Sequence, residues 1–130
     1  MIKKIIPVLI ATLFIVSCSQ KTRPTTAMDT GRDFIRATLD GNFDEAKELL
    51  YKDTFNVQFF DSYTQMYDRL PDDEKKNYKA ADYIINKYTE LGDTASIINY
   101  SNSYMKKPQD IKVINKNGEW LIDFKYTVSN

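Results

Sequence analysis

The sequence predicts an α+β domain, with N-terminal helices packed on one face of a C-terminal curved antiparallel sheet. Three observations predict it. From Thr25 to Gly92 apolar residues recur at steps of three and four. After Gly92 the period changes to two. Asn117-Gly118 then separates two alternating runs, the two-residue signal of a type I′ hairpin turn. A one-sided apolar sheet has to be covered, and the amphipathic helices before it are the expected cover.

The first helix starts after Thr25 or Thr26, either of which can cap it, and carries Ala27, Met28, Gly31, Phe34, Ile35, Thr38 and Leu39 on one face. Gly31 costs about 1 kcal/mol against alanine in a helix, and on that apolar face it allows close packing. Gly41 in "DGNF" is a natural helix stop. A second short helix, "DEAKELLYK", begins at Asp44 with acids in its first turn.

Residues 56–91 read as helical and aromatic. Phe59, Phe60, Tyr63, Met66, Tyr67 and Leu70 form one stripe, and Pro71 separates it from the next. In the second stripe Tyr78, Ala81, Ile84, Ile85, Tyr88 and Leu91 follow helical spacing until Gly92.

"TASIINYSNSYM" is then a strand whose adjacent Ile97 and Ile98 point to a bulge or a twisted edge. "DIKVINK" and "EWLIDFKYTV" form the hairpin. A two-residue turn at Asn117-Gly118 sets Asn115 opposite Trp120, Val113 opposite Ile122 and Ile111 opposite Phe124. On the other face Lys112 meets Asp123 and Lys116 meets Glu119, two opposite-charge pairs that support the register.

With 130 residues the chain holds one domain. Lys+Arg and Asp+Glu both number 18, so there is no global basic field for nucleic acid. Histidine is absent, which removes the usual general base near neutral pH and the commonest metal ligand. One cysteine, Cys18, excludes an intrachain disulfide.

The N-terminus reads as a targeting segment. Lys3 and Lys4 precede an apolar run of 12 residues, Ile5 to Val16, too short for a membrane span. "IVSC" resembles the lipobox of bacterial lipoproteins, with small Ser17 directly before Cys18; Ile15 stands where leucine is commoner. The resemblance implies a signal peptide over 1–17, an acylated (palmitate-bearing) Cys18, a tether over 18–25 and a domain over 26–130. Cleavage removes Lys3 and Lys4 and leaves 16 basic against 18 acidic residues. The tether "SQKTRPTT" carries no acidic run like the export signal of some surface lipoproteins. The expectation is a lipid-anchored protein of the bacterial envelope, on the outer membrane and facing the periplasm.

"FIRATLDGNFDEAKELL", with Phe34, Ala37, Gly41, Phe43 and Ala46, and "KNGEWLIDF", with Gly118, Trp120 and Ile122, resemble the nuclear-transport-factor-2-like superfamily. They resemble in particular its bacterial lipoprotein branch of uncharacterised, lumazine-binding-like domains. The match covers about a third of the chain, in two structural patches. The resemblance implies a cone-like α+β fold whose open end can hold a ligand.

Enzymes of that superfamily place an Asp–His pair, or a tyrosine with acidic partners, in the cone. Without histidine the remaining constellation is Tyr63 or Tyr67 with Asp40, Asp61 or Asp68. Tyrosines at helical spacing are more often core residues with a wet hydroxyl. Trp120 either lines a pocket at the open end or packs beneath the helices. "PDDEKK" either holds a cation or complements a helix dipole; its three acids are consecutive and do not converge. No glycine-rich phosphate loop or metal-spaced cluster is present.

The function expected is therefore non-catalytic binding of a small molecule or an envelope protein, without cofactor, metal or nucleic acid. Tyr63, Tyr67, Asn115 and Trp120 are the candidate pocket residues. The alternatives are an assembly accessory acting through the sheet face as a homodimer and, behind it, an isomerase- or dehydratase-like enzyme.

Overall fold

The computed structural model describes residues 22–128. The expected signal peptide over 1–17, the expected acylation site Cys18 and the tether as far as Lys21 lie outside the described residues. Five helices and four strands follow in the order α1 (Ala27–Asp40), α2 (Phe43–Glu48), α3 (Thr54–Asp68), α4 (Asp72–Ala80), β1 (Tyr83–Glu90), β2 (Ala95–Asn102), β3 (Gln109–Lys116), β4 (Glu119–Ile122) and α5 (Phe124–Val128). The strands form one antiparallel sheet in the order β1-β2-β3-β4, curled but not closed, with α1 packed across β2, β3 and β4. The domain is α+β, with helices on one face of an antiparallel sheet.

Local chemistry explains the first helix. Thr26 caps α1 by accepting a hydrogen bond from the Asp29 amide at 3.1 Å, and Gly41 ends it at φ 73°. Gly31 lies under the sheet: a β-carbon there would run into the Ile98 side chain and come within 3.4 Å of Ile111 Cδ1. α1 can therefore approach β2 and β3 more closely than any other residue would allow. Ile98, Ile111, Val113 and Ile122 beneath it are at most 1 % exposed.

The hairpin has the expected turn and register. Asn117 and Gly118 have φ of 54° and 86°, both positive as a type I′ turn requires. Asn115 pairs with Trp120, Val113 with Ile122 and Lys116 with Glu119.

Three expectations are corrected. Tyr83–Glu90 is a strand, not the end of a helix. Ala81 is extended, and the β-branched and aromatic residues that follow pair with β2 from Tyr83↔Asn102 to Glu90↔Ser96. The bulge lies in β1, between Ile85 and Lys87, and not in "TASIINYSNSYM". That extra residue shifts the alternation by one and so mimics helical spacing. β2 itself alternates cleanly, with Ser96, Ile98, Tyr100 and Asn102 inward.

The third correction concerns the last strand, which stops at Ile122. The Asp123 amide still donates to the Lys112 carbonyl at 2.9 Å, but the Lys125 amide goes to Asn56 Oδ1 at 2.7 Å. The Asp123 side chain turns inward to Asn56, away from Lys112. Phe124 thereby leaves the sheet and enters an aromatic cluster with Phe34, Phe60 and Tyr63 at centroid distances of 5.4 to 6.1 Å. Tyr126 and Val128 consequently belong to α5 and not to the sheet face.

The outer edge of β4 is covered by the segment after α2. Ile122 donates to Leu49 O at 2.8 Å, and Tyr51 donates to Ile122 O at 2.9 Å. Arg23, within the expected tether, is seated on the domain. It donates to the Glu48 carbonyl at 3.0 Å and lies 3.8 Å from the Glu119 carboxylate.

Candidate functional site

A cavity of about 460 Å³ opens between α1, α3, α5 and the β2–β3 end of the sheet. Each wall comes from an element placed for other reasons. Phe34 and Thr38 face it from α1, Tyr63 from α3, Tyr100 from an inward position of β2, Ile111 from β3, and Phe124 and Thr127 from α5. The rim is polar: Asn99, Lys107, Gln109 and Asp110.

The polar groups are mostly engaged. Tyr100 donates its hydroxyl to Gln109 Oε1 at 2.9 Å, and Asn99 Nδ2 donates to Asp110 Oδ1 at 2.7 Å. Among the described residues, Thr127 Oγ1 is the buried side-chain oxygen without a hydrogen-bond partner. A buried hydroxyl left unpaired costs about 1–3 kcal/mol, so it stands out in this wall.

The two tyrosines are held protonated. Burial, with smaller contributions from nearby Tyr78 and Tyr67, pushes the Tyr63 phenol up to about 12. Although 37 % of the residue's surface stays open, protein surrounds the phenol itself. Burial raises Tyr100 as well, and Tyr63 is close enough to add to the effect. Both phenols are therefore hydrogen-bond donors at neutral pH, not bases.

Of the four residues expected to share a pocket, Tyr63 lines this cavity and the other three lie elsewhere. Tyr67 packs edge-on against Phe43 at 4.7 Å and faces Gly41, where a β-carbon would come within 2.7 Å of its hydroxyl. Burial raises its phenol, with Asp40 and Asp68 adding negative charge. Asn115 accepts from the Gly118 amide at 3.0 Å and so braces the hairpin turn. Trp120, its cross-strand partner, packs half-buried against the core near that turn. Asp61 is salt-bridged to Lys47 at 3.0 Å. Asp72, Asp73 and Glu74 form the first turn of α4, and no group of three metal-ligating side chains occurs among the described residues.

Sequence reasoning missed Tyr100, Thr127 and the site role of Phe124. Tyr100 had a signal: it shares the inward parity of Ile98 on β2. Thr127 had none, because its position depends on α5 leaving the sheet.

Beside this cavity runs a buried polar junction. Asn56, fully buried, donates to Tyr51 O at 2.9 Å and to Asp123 Oδ1 at 3.1 Å. Lys125 Nζ bridges Asp123 at 2.7 Å and Asp53 at 3.0 Å, and Asp53 caps α3 through the Asn56 amide at 2.8 Å. This network fixes α5 against α3 and so holds Phe124 and Thr127 in the cavity wall.

No family model and no curated protein matches the chain. Among solved structures it is similar to an NTF2-like protein of unknown function from Cytophaga hutchinsonii ATCC 33406, at 19% identity over 82% of this chain and 96% of that one, with a TM-score of 0.44.

Proposed function

We propose that this chain is a lipid-anchored bacterial envelope protein whose domain binds a small, largely apolar molecule without transforming it. One observation carries the reading: the cavity walled by Phe34, Tyr63 and Phe124 with polar side chains at its edge. A volume of about 460 Å³ falls in the range of small-molecule sites, roughly 300–1,000 Å³. Phe34 and Phe124 supply apolar surface, while the protonated Tyr63 phenol and the polar side chains at the edge supply a few polar contacts. Asp123, a buried carboxylate, is bound to Asn56 and Lys125 and does not line this cavity. The anchoring half of the proposal comes from the lipobox-like "IVSC".

Two measurements test it. Fatty-acid labelling should mark the wild type and not Cys18→Ala; label on the variant sinks the anchor. Native mass spectrometry of protein purified from its own membrane, followed by a thermal-shift screen of neutral planar and sterol-sized compounds, tests the cavity. A ligand should raise the melting temperature, and Tyr63→Phe should weaken its binding about tenfold, the worth of one hydrogen bond near 1.4 kcal/mol. If nothing co-purifies and no compound shifts the melting temperature, the binding reading fails.

A second reading has one observation in its favour. β1 is an edge strand, and Ile84 on it is 64 % exposed. Self-association through that strand is the assembly alternative, and sedimentation of wild type against Ile84→Lys distinguishes it.

A further inference from the structure

α3 has a second apolar face that the cavity does not use. Phe55, Phe59 and Met66 are 61 %, 41 % and 66 % exposed and point away from the core. At 100° per residue they fall with Ser62 in one narrow arc, bordered on one side by Gln58 and Gln65 and on the other by Tyr63. Asp61 and Asp68 project well outside it. Tyr126 and Lys125 of α5 lie beside Phe55 and Phe59, so the ridge continues past the helix. Exposed aromatics, edged by a phenol and by a lysine whose charge is already matched by Asp53 and Asp123, suit a lipid interface better than open water.

The seat of Arg23 puts the expected anchor within reach of this ridge. Arg23 is held at Glu48 and Glu119. Four residues lie between it and Cys18, so the two backbones can be at most ~18 Å apart. From Glu119 along β4 to Asp123, beside Phe55 and Phe59, is about 13 Å at the rise of a strand. An anchor at Cys18 thus brings the bilayer within range of this ridge.

We propose that the Phe55–Phe59–Met66 ridge of α3 rests on the lipid surface that anchors the chain, setting the domain's orientation on the membrane. This inference rests on the lipid-anchor reading. A ridge on the bilayer adds apolar contacts to those of the acyl chains and turns the tether into a short, directed link.

The test uses the mature acylated protein in vesicles of phosphatidylethanolamine and phosphatidylglycerol. Cys18 carries its lipid on sulfur, so a cysteine introduced by Phe59→Cys, Met66→Cys or Ile84→Cys offers the free thiol for a nitroxide. Oxygen collisions should exceed those of a water-soluble nickel chelate several-fold at 59 and 66, with the reverse at 84. Met66→Cys, at the most exposed of the three ridge positions, keeps the test intact if the variant at 59 does not fold. Equal water access at 66 and 84 overturns the docking alone. Shielding from both probes at 59 and 66 also overturns it, in favour of a protein cover. A mass without acyl chains overturns the anchor, and the docking with it.

Discussion

Asn56 and Asp123 stand 67 residues apart in the chain and share a buried hydrogen bond of 3.1 Å. Asn56 also takes the Lys125 amide, which the β3–β4 ladder would otherwise have used. One amide side chain thus ends a strand, starts a helix and sets one wall of the cavity.

Asn56→Ala should therefore destabilise the domain by about 3 kcal/mol, because it leaves the Tyr51 carbonyl and the Lys125 amide short of partners in a low-dielectric site. Urea denaturation measures it. A loss below about 1 kcal/mol would mean that α5 is held by Phe124 packing alone.

Gly31→Val should cost ~3 kcal/mol, since its branches enter the space of Ile98 and Ile111 in a packed interior. Valine's better helix propensity offsets only a fraction of that. An unchanged melting temperature would show that α1 can lift off the sheet without penalty.

Gly118 has open space around its α-carbon, so a substitution there tests backbone conformation alone. With φ at 86°, Gly118→Val should lose roughly 1–3 kcal/mol through strain. Equal stability would contradict the type I′ geometry. Ile122→Ala, by contrast, empties a fully buried site and should cost ~2–5 kcal/mol.

Stability should fall at both ends of the pH scale for separate reasons. The hydrogen bond from the Asn56 amide, assisted by Lys125, holds the Asp53 carboxyl below its ordinary 3.8. A depressed carboxyl contributes stability that is full above the unfolded pKa and lost as pH falls through the folded one, so the acid loss lies below about pH 3.8. Tyr63 is raised from 10.0 to about 12, so its contribution is full below pH 10 and lost as pH rises towards 12. Urea titrations over roughly pH 2–5 and 9–12 check both. Asp53→Ala should flatten the acid limb. Tyr63→Phe should shrink the alkaline limb without removing it, because Tyr100, Tyr78 and Lys125 are also raised.

By itself the sequence determined whatever a few neighbouring residues decide. Thr26 and Gly41 bound α1 because a hydroxyl next to a free amide and a residue at positive φ are local requirements. Asn117-Gly118 set the hairpin register because a two-residue turn leaves no freedom in pairing. Gly31 could be read as a close approach because it lay on the apolar face of its own helix. Only the tertiary structure decided β1 and α5. "DYIINKYTE" suits a helix or a bulged strand equally by spacing, and pairing with β2 chose the strand. "FKYTV" alternates like a strand, yet Asn56, far away in sequence, claimed its amide. The cavity was illegible for the same reason: Thr127 and Phe124 line it because α5 departs from the sheet, an outcome of contacts between residues too distant for any local pattern to record. Tyr63 was legible in part, since a phenol on the inward side of an aromatic helix must end in the core or in a pocket, and packing decided for the cavity wall.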